Sequence, residues 1–70
     1  MTTYILIHVR DNQVRFAIDF QNRSNADWVF DRFVTDLDIE EVSAHDAEFG
    51  ATLRFARNDT DTLSIIVRTV

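Results

Sequence analysis

Seventy residues carrying a formal charge of −5, with no cysteine, no proline and one glycine, amount to one domain at most (1–70), with no covalent or thiolate staple. Disulfides, thiolate metal centres and cysteine nucleophiles are excluded, so the packing of six Phe, one Trp and one Tyr must hold the fold. No apolar run approaches the roughly 20 residues of a membrane span. The opening Met1-Thr2-Thr3-Tyr4-Ile5-Leu6-Ile7-His8 lacks a basic flank and reads as a strand, not a signal peptide, so a cytoplasmic location is expected.

Residues 3–10 alternate Thr3, Ile5, Ile7, Val9 against Tyr4, Leu6, His8, Arg10. Residues 14–20 alternate Val14, Phe16, Ile18, Phe20 against Arg15, Ala17, Asp19. Period two predicts two half-buried strands, with the first set of each facing the core. A two-residue turn at Asp11-Asn12, where both residues tolerate positive φ, then pairs Val9 with Val14, Ile7 with Phe16 and Ile5 with Ile18. Ser24 is the expected N-cap of a helix over residues 25–37, with Asp27 as its capping-box partner. Ala26, Val29, Phe30, Phe33, Val34 and Leu37 form its apolar stripe.

Residues 51–57 and 63–69 make a second hairpin around a three-residue turn at Asp59-Thr60-Asp61. Leu53, Phe55, Leu63, Ile65 and Val67 are expected to face the core. The long connection 38–50 is tacked down by Ile39, Val42 and Phe49. The expected class is α+β, with the order ββαββ and one helix packed on a four-stranded, mostly antiparallel sheet. This order resembles the β-grasp of the small immunoglobulin-binding domains of bacterial surface proteins. The resemblance implies first and last strands parallel at the centre of the sheet, and it carries no function.

The functional lead is the distribution of charge. Residues 27–48 hold eight carboxylates against Arg32, a charge of −7, while the other 48 residues sum to +2. Such a field attracts basic partners and repels nucleic acid locally. All seven basic residues are Arg, and Asp outnumbers Glu nine to three. A salt-adapted surface would spread its acids over every face, whereas these are clustered. On the helix, Asp27, Asp31 and, with a further turn, Asp38 line one edge, and Trp28 stands opposite the core stripe beside Arg32. An exposed Trp among carboxylates is interface-anchor chemistry. The competing reading is an ordinary solvated face, in which Arg32 lies over the indole or pairs with Asp36. The candidate partner-binding set is Asp27, Trp28, Asp31, Asp36, Asp38, Glu40, Glu41, Asp46 and Glu48.

A second candidate surface is the outer sheet face, carrying Tyr4, His8, Arg10, Arg15, Arg54 and Arg68. Arginines and an aromatic on a flat sheet suit single-stranded nucleic acid, against a plain solvated face as the competing reading. Leu6 and Ile66 side by side on that face would make a small apolar spot, a candidate homodimer contact. Catalytic sets are lacking. His45-Asp46-Ala47-Glu48 has no characteristic metal-ligand spacing. Ser24 and Ser43 sit in no nucleophile motif, Glu40-Glu41 beside Asp38 implies no cleft, and there is no Gly-rich phosphate loop. Neither an enzyme nor a cofactor or metal is expected.

The expectation is a small acidic protein-binding inhibitor. In size, charge and element order the chain resembles small phage-encoded inhibitors of bacterial defence, anti-CRISPR proteins among them. That resemblance implies a partner with a basic surface in the host cytoplasm, a nucleic-acid-binding effector blocked by carboxylates that imitate phosphates. Direct nucleic-acid contact and membrane association are not expected on this reading. The alternative is a regulatory or single-stranded nucleic-acid-binding module acting through the Arg-bearing sheet face. A third class is a self-associating structural domain.

Overall fold

The computed structural model describes residues 1–47 and 51–69. Asp11 and Asn12 adopt φ of 52° and 65°, the left-handed pair that a two-residue type I′ turn requires. They join β1 (Thr2–Arg10) to β2 (Gln13–Phe20). Val9 faces Val14 as predicted, but the register then shifts: His8 pairs with Phe16, Leu6 with Ile18 and Tyr4 with Phe20. One extra residue, Arg15, is accommodated on β2 as a bulge, and a one-residue slip exchanges the two faces of a strand. The predicted pairs Ile7–Phe16 and Ile5–Ile18 are replaced by Ile7–Ala17 and Ile5–Asp19.

Helix α1 runs over Arg23–Asp36. Its N-cap is Asn22, not Ser24. The Asn22 Oδ1 accepts from the Ser24 backbone N–H at 2.9 Å and from its hydroxyl at 2.6 Å, so Ser24 lies in the first turn and Asp27 is beyond capping-box reach. At the other end Leu37 is the C-cap and Asp38 turns left-handed at φ 53°. The Ile39 N–H then donates to the Val34 carbonyl and the Asp38 N–H to that of Thr35. This is a Schellman stop, with Ile39 folding back into the core beside Val34 and an Asp where glycine is usual.

A short third strand follows, β3 (Glu40–Val42), then a 3-10 turn at Ala44–Asp46, β4 (Thr52–Arg57) and β5 (Asp61–Thr69). The five strands form one antiparallel sheet in the order β2-β1-β5-β4-β3. The α+β class stands, but the four-stranded β-grasp expectation is corrected. The added strand reverses the chain once more before the last hairpin, so β1 and β5 pair antiparallel at the centre. The radius of gyration of 11.2 Å matches the value of about 11 Å for a single body of this length. Among the described residues no helix is long and apolar enough to cross a membrane.

Across the central pair, Tyr4 faces Val67, Leu6 faces Ile65, His8 faces Leu63 and Arg10 faces Asp61. This is the side that α1 covers, where Leu6, Leu63 and Ile65 are fully buried with Ala26 and Phe30. Ile5, Ile7 and Val9, predicted to line the core, lie half-buried on the opposite side, and Tyr4, Leu6 and His8, predicted to face outward, point at the helix. Leu63, Ile65 and Val67 keep their predicted facing. In β4, Ala56 opposes Leu63, whereas Phe55 stands with Ser64 on the far side. The turn at residues 58–60 comes one residue earlier than predicted. The Asn58 side chain accepts from the Thr60 and Asp61 N–H groups at 2.8 and 2.6 Å, releasing Asp61 into β5. Ile39 is buried as expected, and Phe49 lies outside the described residues.

Phe30 has no exposed surface and sits between helix and sheet. Phe30→Ala should cost about 3–5 kcal/mol, enough to abolish the cooperative urea transition of so small a domain. The half-buried Phe33, tested in the same way, should lose less.

Candidate functional site

Arg54 is the hinge of the acidic segment, and it lies on the helix side of the sheet, opposite Ile65. Its Nε and Nη2 fork onto Glu41 at 2.9 and 2.8 Å, Nη2 also reaches Asp31 at 2.7 Å, and Nη1 reaches Asp27 at 3.3 Å. The guanidinium lies 4.2 Å from the centre of the Phe30 ring. A planar fork over an aromatic face, with carboxylates at its edges, is a geometry that Lys does not reproduce. The hydrogen bond to Glu41 above all raises the Arg54 pKa further above its ordinary value, so it is a permanent cation. Arg54 thus ties α1, β3 and β4 together, and three of the predicted partner-binding acids are spent on that tie. Asp27 is shared with Arg23, 3.7 Å away one helical turn earlier.

The remaining acids are arranged differently. Trp28, Arg32 and Asp36 follow one another at four-residue spacing on the exposed side of α1, a line of about 12 Å. Trp28 is 65% exposed, with the Arg32 guanidinium 5.8 Å from its ring. No Arg32–Asp36 ion pair forms among the described residues. Beyond the helix end, Asp38 and Glu40 are exposed as well. Asp36, Asp38 and Glu40 therefore crowd the negative end of the helix dipole, and the last turn holds no basic residue to offset them. Asp46 closes the 3-10 turn and its side chain is not among those described. Glu48 lies outside the described residues.

The third cluster was not anticipated from sequence. The Asp61 carboxylate, 2% exposed, accepts from His8 Nε2 at 2.8 Å and from Arg10 Nε at 2.9 Å on one oxygen. The other oxygen accepts from the Thr60 hydroxyl at 3.0 Å and from Arg10 Nη2 at 3.4 Å. A carboxylate here only accepts, so His8 Nε2 carries a proton. The His8 ring is flanked by Phe16 and Phe33, 5.4 and 6.4 Å away between centres. Arg10, then His8, hold the Asp61 carboxyl well below the usual carboxylate range, while burial works in the opposite direction. These contacts join the end of β1 to the start of β5.

Those contacts settle where the other predicted surface lies. Tyr4, His8, Arg10 and Arg54 stand on the helix side, Arg15 is at the bulge, and Arg68, opposite Thr3, is on the far side. The six residues predicted to share the outer face do not share one, because β1 and β4 turn toward the helix the side predicted to face outward, while β5 keeps its predicted facing. For the same reason the predicted Leu6–Ile66 spot does not exist: Leu6 is buried against Ile65, and Ile5 is the residue beside Ile66. Among the described residues no three His, Asp or Glu side chains are placed to hold a metal ion. No protein-family model matches the chain, and neither does a curated protein or a solved structure.

Two predictions follow from the ionic clusters. Arg54→Lys keeps the charge but loses the fork, and should lower stability in denaturant unfolding by about 1–2 kcal/mol, whereas Arg68→Lys, on an exposed position, should leave it unchanged. For Asp61 the sign comes from proton binding. Below about pH 4, where an unfolded Asp protonates, the unfolded chain takes up a proton that folded Asp61 refuses, so stability falls with pH. Asp61→Asn should be less stable near neutrality and should show a flatter decline below about pH 4, by up to one proton in slope. An unchanged slope would show that the Asp61 contacts do not favour its charged form.

Proposed function

We propose that this chain is a small acidic protein-binding inhibitor that docks through the outer side of α1 and the turn after it. The observation that carries the reading is Trp28, a large indole held in solvent on a rigid helix, with Arg32 laid against it. A rigid aromatic supplies contact area at little entropic cost, and surrounding charge orients the encounter. Residues 27–41 carry six carboxylates and Arg32, and the bound Arg54 leaves this surface at −4. Asp36, Asp38 and Glu40 are placed where they oppose the helix dipole, and Asp38 occupies a left-handed position that glycine fills at less cost. Local rules broken together at one exposed place are the mark of a surface kept for use.

The partner of this reading is a protein with a basic groove, of the kind that binds nucleic acid, and the carboxylates stand in for phosphates. In the specific form of this reading, which follows the resemblance to small phage-encoded inhibitors, the protein acts in a host cytoplasm in an anti-CRISPR-type role. The sheet-face alternative draws less support, because Arg10 and Arg54 are already engaged by carboxylates and Arg68 is on the other side.

The test is retention of a basic protein from a bacterial lysate, followed by kinetics with the purified partner. Asp36→Asn with Asp38→Asn and Glu40→Gln should slow association and reduce its salt dependence, with dissociation little changed. Trp28→Ala should speed dissociation and weaken binding by about 2 kcal/mol or more. Trp28→Ala should unfold at the wild-type denaturant midpoint, since the indole does not enter the core, and the charge variant at a somewhat higher one, since it relieves repulsion at the negative end of the helix dipole; neither loses stability. Equal binding by wild type and both variants would reject the helix surface.

A further inference from the structure

The sheet has two edges of unlike character. β3, at one end, is three residues long and carries Glu40 and Glu41. β2, at the other, is eight residues long, has no Pro or Lys, and exposes Val14 at 64% and Ile18 at 42%. An apolar edge strand with an outward row of backbone donors and acceptors is a template for another strand. The sequence of this edge also matches itself. Set antiparallel to a second copy about Ala17, the segment Arg15-Phe16-Ala17-Ile18-Asp19 places Arg15 opposite Asp19 and Phe16 opposite Ile18, each pair occurring twice.

We propose that the protein forms a two-fold dimer through β2, with β2 of one protomer running antiparallel to β2 of a second copy about Ala17. The two sheets then join into one of ten strands. Phe16 and Ile18 lie on the helix side, paired with His8 and Leu6, so the exposed Ile18 gains an apolar neighbour across the junction. Ala17 and Asp19, opposite Ile7 and Ile5, lie on the far side, where Asp19 meets the exposed Arg15 of the second copy. Directly opposed apolar and opposite-charge pairs are the ones that stabilise adjacent antiparallel strands, and like charges there oppose them. The contact is isologous and closes on itself. The short β3 edge, with its two glutamates, offers no comparable second site, so growth stops at two. The junction uses neither Trp28 nor the acids after α1, and stands apart from the inhibitor reading.

Sedimentation over a wide concentration range tests this directly. The wild type should move from monomer to dimer as concentration rises. Arg15→Asp and Asp19→Arg should each weaken the dimer by about tenfold or more, since each sets like charges opposite one another twice. The double exchange R15D with D19R should restore it. A wild type that stays monomeric throughout, single variants that dimerise normally, or a double variant that is folded but not restored would each overturn the proposal. A second arm does not depend on the charge variants folding. The chain has no cysteine, and residue 17 is the one that faces itself across the axis. On mild oxidation Ala17→Cys should give a disulfide-linked dimer at dilutions where Thr35→Cys, on the exposed side of α1, does not. Equal cross-linking of the two would overturn the proposal as well.

Discussion

The contact of Asp61 with His8 and Arg10 governs which side of the sheet is the inside. All three stand on the helix side, at the end of the central strand pair where β5 begins. A carboxylate buried there without partners would cost several kcal/mol. If β1 turned Ile5, Ile7 and Val9 inward, His8 and Arg10 would be carried to the far side and Asp61 would lose its two cationic or donor partners. The facing of Leu6 follows from that, and so does the need for a bulge at Arg15. Without the extra residue on β2, Phe16, Ile18 and Phe20 would turn away from the helix while Leu6 turned toward it. The far side of β1 is the more apolar, with Ile5, Ile7 and Val9 against Tyr4 and Leu6, so the ionic contact weighs against the apolar count of this strand.

Arg54 plays the matching part on the other half of the domain. The fully buried core is small, built around Leu6, Phe30, Leu63 and Ile65 with two alanines, and a chain of this length has little more to bury. Arg54 crosses from β4 to the helix, covers the Phe30 ring, and gathers one carboxylate from each of two successive turns of α1 and one from β3. β3 is too short to hold itself to the sheet by backbone bonding alone, and Glu41 anchors it at its middle. The two clusters therefore fasten opposite ends of the layer between helix and sheet, with the apolar contacts between them. No buried side-chain nitrogen or oxygen among the described residues is left without a hydrogen-bond partner, which is what makes ionic fastening tolerable at low dielectric.

The two hairpins, the first turn and the helix stripe were legible in the sequence because each rests on a local signal: a period of two, two adjacent residues that tolerate positive φ, and a period near 3.6. What was not legible depends on pairs far apart in the chain. The facing of β1 required Asp61, which reads as a turn residue in the run Asn58-Asp59-Thr60-Asp61, although it is in phase with Leu63, Ile65 and Val67. That phase was the available signal. β3 was missed because three residues, two of them glutamates, show no strand periodicity, and the β-grasp parity went wrong with it. Of the candidate site, the exposure of Trp28 and its contact with Arg32 could be read from the helical wheel. The role of Arg54 could not, because the alternation that placed it outward was counted from the wrong residue.

The acidic segment is consequently two things and not one. Net charge alone treats Asp27, Asp31 and Glu41 as equal to Asp36, Asp38 and Glu40, and that equality is what the arrangement breaks. The first three are held by an arginine buried enough to be costly if abandoned, so they are part of the fold and fixed in position. The second three surround the carboxyl end of a helix, where each opposes the dipole by a few tenths of a kcal/mol to about 1 kcal/mol. The Schellman turn at Asp38 needs a left-handed residue but not a charged one, and Asn or Gly would satisfy its geometry at lower electrostatic cost. Stability thus accounts for the acids that Arg54 holds and works against those beyond them. On the proposed reading, a partner bearing positive charge would supply the term that is missing, and the indole of Trp28, two turns back along the same exposed line, would give that partner an apolar point to close on.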